Sequence, residues 1–234
     1  MPPTFTPALT TAKRALRSTI KSQLSKLRAD SLKSQSQTCL QTLLSLPEYT
    51  AASRLSVFLS MPSKEIDTSA IVEHSLENGK SIYVPYIHRN PPSHPISSLA
   101  ASASAPPSLM DMLALSSLDD YRSLQPDSWG IPTIPKETIS SRKNALTEEA
   151  GLDLIVMPGV AFDETFKRLG HGKGYYDYFL TRYHEAKEKG KMPVLVALAL
   201  KEQMLGKDEV PVDISDWLVD IIVTGDGRCL RRQC

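Results

Sequence analysis

Five short apolar runs, at residues 55–60, 81–86, 152–157, 193–200 and 219–223, constrain the fold of this 234-residue chain more than any other feature. Their length and their turn-forming flanks suit buried strands rather than helices. Helical periodicity fills the intervals. From 67 to 77, Ala70, Ile71 and Leu76 recur on one face behind Asp67, the expected N-cap, and a further helix is expected over 175–188. Strand, helix, strand in that order pairs strands in parallel through a right-handed crossover. The expected fold class is α/β: a Rossmann-like three-layer sandwich with a mainly parallel central sheet, forming one domain over 1–234.

The N-terminal segment is distinct in charge. The formal net charge is only +1 at pH 7, yet Lys13, Arg14, Arg17, Lys21, Lys26 and Arg28 all precede the first acid, Asp30. Over 11–27 the apolar residues Leu16, Ile20, Leu24 and Leu27 recur at helical spacing, so they should face the body while the basic residues edge the solvent. Lys13 and Arg17, four apart, can reach the same anion. An acid-free, Ser- and Thr-rich basic start also has the composition of an organellar presequence, so mitochondrial targeting stands beside a cytoplasmic placement as a second reading. A second helix is expected over 34–46, with Pro47 as a turn. Cys39, Cys229 and Cys234 have no metal-like spacing and are odd in number, which favours a reducing compartment. No apolar run reaches bilayer length. No aromatic platform accompanies the basic residues, so RNA is not the expected partner. Residues 89–108, with Pro91, Pro92, Pro95, Pro106 and Pro107 among Ser and Ala, read as a disordered surface insertion with no catalytic role.

Chemistry concentrates in residues 168–177, read Arg-Leu-Gly-His-Gly-Lys-Gly-Tyr-Tyr-Asp. Gly170, Gly172 and Gly174 let the backbone turn tightly and expose its N–H groups. The free N–H groups of the helix starting at Tyr175 favour negative charge, and Arg168 and Lys173 add to that field. The run is not a P-loop, because Lys173 is followed by Gly174 rather than Ser or Thr; nor does it occupy the first-strand position of a dinucleotide fingerprint. Asp177 reads either as a helix-start carboxylate or as a hard oxygen ligand for Mg²⁺. The histidines show no zinc grouping.

With this loop the sequence resembles the 5-formyltetrahydrofolate cyclo-ligase family. The resemblance includes Lys13-Arg14-Ala15-Leu16-Arg17, Phe58-Leu59-Ser60-Met61 with Glu65-Ile66, and Ser128-Trp129-Gly130-Ile131-Pro132. It continues through residues 151–159, Phe162-Asp163, the glycine loop, Val210-Pro211-Val212 and Asp216, in family order. It implies an ATP- and magnesium-dependent enzyme, with ATP as cosubstrate, that closes 5-formyltetrahydrofolate to 5,10-methenyltetrahydrofolate, ADP and phosphate. On that resemblance Lys13, Arg14, Arg17, Arg168, Gly170, His171, Gly172, Lys173, Gly174 and Tyr175 serve ATP. Leu59, Glu65, Trp129 and Tyr175 serve the folate, Arg168, Lys173 and Tyr175 form the catalytic set, and Asp177 and Asp216 match the magnesium positions.

Asp213 competes with Asp216 as a metal candidate, and the segment at Met110, Asp111 and Met112 resembles a substrate-side stretch. Tyr83, Tyr86 and Tyr176 read as packing residues whose hydroxyls reach the surface. From the residues alone Trp129 reads as a half-buried core residue. His171 departs from the family's commonest mammalian pattern, which has Arg there; Arg is permanently charged and forked, whereas imidazole is shorter and titrates near ~6.5. A monomer acting on a folate, with or without a polyglutamate tail, is the expected working form. Two other readings use the same loop: an α/β enzyme for a sugar phosphate or coenzyme A, and a non-catalytic folate or nucleotide binder.

Overall fold

The computed structural model describes residues 7–62, 64–90, 106–187 and 191–233. The helices are α1 Pro7–Leu24, α2 Ala29–Leu44, α3 Pro47–Ala51, α4 Ser69–Glu77, α5 Leu118–Ser123 and α6 Tyr175–Ala186. The longer strands are β1 Arg54–Val57, β2 Ser81–Arg89 and β3 Ser108–Ala114, followed by the two-residue β4 Gln125–Pro126 and β5 Pro132–Thr133. Then come β6 Leu154–Met157, β7 Ala161–Asp163, β8 Arg168–Leu169, β9 Val194–Ala199, β10 Met204–Leu205, β11 Ile221–Thr224 and β12 Cys229–Arg231. Among the described residues, seven strands form one sheet in the order β12, β11, β9, β6, β1, β2, β3. The pairings from β11 through β2 are parallel, and β12 and β3 close the two edges antiparallel. The expected parallel pairing across α4 is present, with Leu55 opposite Ile82.

Alternation along the strands builds the three layers. Leu55, Val57, Leu154, Val156, Val196 and Leu198 point into one core with Ile20, Leu43 and Ile71 from α1, α2 and α4. Ile155, Met157, Leu195, Ala197 and Ile222 point into the other with Phe179, Leu180 and Tyr183 of α6. A strand apolar on both faces needs cover on both, and the helices divide accordingly. Each such side chain removed from water contributes about 1.5–3 kcal/mol before chain entropy is set against it.

Three local readings differ from the expectations. Pro47 is not a turn but an early residue of α3, where its missing N–H costs nothing. Thr68, not Asp67, occupies the N-cap position of α4, but its hydroxyl donates to the Phe58 carbonyl, and it is Asp67 that accepts the Ser69 N–H at 2.9 Å. The edge strand β3 follows β2 as a hairpin in which Arg89 stands opposite Ser108. The interior of the expected 89–108 insertion, residues 91–105, lies outside the described residues. Among the described residues no helix is long and apolar enough to cross a membrane.

The basic N-terminal segment forms α1, with Ile20 and Leu24 buried. Helical amphipathicity therefore accounts for residues 7–24. Farther along, the fully buried Asp163 binds the backbone N–H groups of Thr165, Lys167 and Val210. Four acceptor positions let one carboxylate shape the whole turn between β7 and β8, and so aim Arg168.

Candidate active site

The parallel strands β1 and β6 end at Val57 and Met157 and open into one crevice, the place where open α/β sheets bind ligands. Between them the glycine loop leaves β8 and enters α6. Gly172 (φ +96°) and Gly174 (φ +66°) lie in the left-handed region, which the loop's turn requires and which side chains with a Cβ resist. Gly174 is the N-cap of α6, so the first N–H groups of that helix face the crevice mouth without intrahelical partners.

Long-range contacts lock the loop. Arg17 Nε donates to the Gly170 carbonyl at 2.7 Å, and its guanidinium packs on Gly172, where a Cβ would meet Cζ at 3.3 Å. Desolvation lowers the Arg17 pKa, and the Asp216 charge partly offsets it. Lys13 Nζ lies 2.5 Å from Asp216 Oδ2 and 3.1 Å from Asp213 Oδ2. Burial acts to raise the Asp213 carboxyl, but Ser215 and Lys13 outweigh it and hold Asp213 below the usual carboxylate range. Arg168, with only 3% of its side chain exposed, places Nη2 3.0 Å from both oxygens of Asp177. Asp177 Oδ1 also accepts the Trp217 N–H at 3.1 Å, tying the 213–217 loop to the start of α6.

The crevice holds a cavity of about 360 Å³ whose wall includes Leu59, Glu65, Arg168, Gly170, His171, Lys173, Gly174, Tyr175 and Asp177. These residues come from both the substrate and the nucleotide sets of the sequence analysis. A second cavity of about 680 Å³ adjoins it along α2, and the two share Leu59, Met61, Glu65 and Pro132. Gly172, Arg17, Lys13 and Asp216 are not on the wall of this cavity: Arg17 packs on Gly172, and Lys13 pairs with Asp216. Arg14 is exposed on α1. Trp129 is not a core residue: it is 65% exposed on a turn whose neighbours Asp127 and Ile131 line the cavity. An indole left in water beside a cavity gains by covering a ring.

Tyr176 corrects an expectation. Its hydroxyl is buried without a hydrogen-bond partner among the described residues rather than reaching the surface, and burial pushes its pKa up. Arg168 Nε is buried and unpartnered as well, and the guanidinium lies over the Tyr176 ring at 5.6 Å. Two unsatisfied buried groups beside a cavity call for a polar ligand or water. Tyr86 and Met110, from the β2–β3 hairpin, also line the cavity, while Asp111 turns away to Arg182 and Met112 is core. Sequence reading did not place Tyr86 here because the hairpin itself was not foreseen.

The two carboxylates that match magnesium positions, Asp177 and Asp216, are paired here with Arg168 and Lys13, and no cluster of three or more ligating side chains occurs among the described residues. That donor set suits magnesium, which takes one or two carboxylates and completes its shell with phosphate oxygens and water.

Comparison with known proteins finds relatives over nearly the whole chain. The sequence model of the 5-formyltetrahydrofolate cyclo-ligase family matches residues 9–225. The mouse 5-formyltetrahydrofolate cyclo-ligase is 34% identical over 216 residues, covering 92% of this chain and 95% of that protein. A probable 5-formyltetrahydrofolate cyclo-ligase of Schizosaccharomyces pombe is 31% identical, covering 91% and 94%. A relative from Arabidopsis thaliana named as mitochondrial is 34% identical, covering 92% and 74%. Among solved structures, the Aquifex aeolicus 5,10-methenyltetrahydrofolate synthetase superposes with a TM-score of 0.66 at 23% identity, over 95% of each chain, and so shares the fold. The sheet, the glycine loop at its carboxyl end and the match over 9–225 together make this chain a member of the 5-formyltetrahydrofolate cyclo-ligase family.

Proposed function

We propose that the protein converts 5-formyltetrahydrofolate and ATP into 5,10-methenyltetrahydrofolate, ADP and phosphate. The observation that carries this reading is the pair of adjoining cavities sharing Leu59, Met61, Glu65 and Pro132, with the glycine loop along one of them. Two substrates can meet there across one wall.

The chemistry explains the need for ATP. A formamide carbonyl is a poor electrophile, and its oxygen is a poor leaving group. In this mechanism the formyl oxygen attacks the γ-phosphorus; its new O–P bond forms as the bond to the β-phosphate oxygen breaks, releasing ADP. The N10 lone pair then attacks the formyl carbon. The carbon–oxygen bond breaks to free phosphate, and N10 loses its proton, leaving the positive charge shared across N5, carbon and N10.

The protein supplies alignment and charge compensation. Lys173 and the start of α6 face the transferring group. Arg168 holds Asp177 and bounds the cavity floor. Arg17 fixes the loop through Gly170, Arg14 adds positive charge on α1, and Lys13 holds Asp213 and Asp216 beside the loop until phosphate draws it away. Glu65 accepts hydrogen bonds from pterin N–H groups, Leu59 packs beneath the ring, Trp129 covers it, and Tyr175 sits where folate and nucleotide meet. Asp177 and Asp216 would hold magnesium, which neutralises phosphate charge when bound. In this reading the working form is a cytoplasmic monomer that accepts folate with or without a polyglutamate tail.

Absorbance in the methenylfolate band should rise only when 5-formyltetrahydrofolate, ATP and Mg²⁺ are all present. Equal turnover with ATP omitted would sink the mechanism, and purified protein that turns over nothing in any mixture would leave a binding role.

A further inference from the structure

His171 lies between two anchored backbone positions. Arg17 holds the Gly170 carbonyl at 2.7 Å, and Gly172 at φ +96° packs on the Arg17 guanidinium. The imidazole projects across the crevice, and its Nε2 lies 3.1 Å from Glu65 Oε1, on a residue 106 positions earlier. The other carboxylate oxygen, Oε2, accepts the Met61 N–H at 2.8 Å. Glu65 is thus gripped at both oxygens, once by its own loop and once by the glycine loop.

We propose that His171 is a positioning residue for the folate, acting through Glu65, rather than a phosphate ligand. The inference rests on the folate reading of Glu65 given above. The terminal torsion of a glutamate is broad, so a carboxylate held by Met61 alone would rotate. Recognition of paired pterin N–H groups needs that carboxylate plane fixed, and His171 fixes it. An arginine at 171 could spread its five N–H donors over a carboxylate and a phosphate together. Imidazole has two nitrogens, and Nε2 is already committed to Glu65. The side chain is 42% exposed while that of Glu65 is 11% exposed, so the contact orients a sheltered carboxylate and contributes little packing.

Calorimetric affinities for 5-formyltetrahydrofolate and for ATP with Mg²⁺, measured separately, test this directly. His171→Ala should weaken folate binding roughly five- to tenfold, as expected for losing the orienting effect of one net hydrogen bond, and leave ATP affinity within about twofold. His171→Gln, which keeps a donor, should recover most of the loss. In a Glu65→Ala background, His171→Ala should add less than about twofold, because the partner is gone. Weakened ATP binding with folate affinity intact would overturn the proposal, as would an equal folate loss in both backgrounds. A fall in melting temperature with both affinities reduced alike would also overturn it, making the pair a structural staple. Wild-type protein that binds 5-formyltetrahydrofolate without turning it over would defeat the catalytic reading and leave this one intact.

Discussion

Lys173 and Arg168 are cations of one loop in opposite surroundings. Lys173 is exposed at the cavity mouth, whereas Arg168 is buried against Asp177. Lys173→Ala should therefore lower kcat/KM on the order of 10²-fold with the melting temperature unchanged, since it removes only charge facing the transferring group. Arg168→Ala should lower activity and also cost about 1–3 kcal/mol in denaturant unfolding, because Asp177 loses its buried partner. Unchanged kcat/KM in Lys173→Ala would remove that residue from the mechanism. The residue types of the site were legible in the sequence because glycines, cations and carboxylates fall at revealing spacings. Their pairings were not. Lys13 meets Asp213 and Asp216 from 200 and 203 positions away, and no local pattern encodes such contacts.

At the scale of elements, Asp120 in α5 ties that helix to Arg142, with Nη1 and Nη2 each 2.6 Å from a carboxylate oxygen. The Arg142 hydrogen bond is the main cause holding the Asp120 carboxyl at about 2, down from 3.8. A depressed carboxylate stabilises the fold above its unfolded value and loses that contribution as pH falls toward its folded one. Wild-type stability should therefore decline between about pH 4 and pH 2 through this group, and Asp120→Asn should lower stability at neutral pH and flatten that part of the profile. Thermal melts of both proteins across the window check it; parallel profiles would discount the pair. Long periodic elements such as α1 and α6, and uniformly apolar strands such as β6, were readable from the chain. Edge strand β3 was not, because Asp111 interrupts its apolar pattern and is satisfied by distant partners, Arg182 from α6 and Asn144. The two- and three-residue strands β7, β8 and β10 carry too few positions to show a period, yet they aim Arg168.

Across the whole molecule, unbroken apolarity within the central strands was enough to imply cover on both faces of a parallel sheet, and parallel strands put a binding crevice at their carboxyl ends. What those apolar runs do not encode is the depth of that crevice or the second cavity beside it, which depend on how α2 and the residues around Leu59 and Glu65 pack. In the proposed mechanism this crevice brings a formyl oxygen to the γ-phosphorus of ATP and then carries that oxygen away as phosphate. Turnover of 5-formyltetrahydrofolate labelled with ¹⁸O in the formyl group, followed by mass analysis of the released phosphate, distinguishes this transfer from other routes. One labelled oxygen is expected in each phosphate released; unlabelled phosphate, with the label recovered in water, would rule the transfer out.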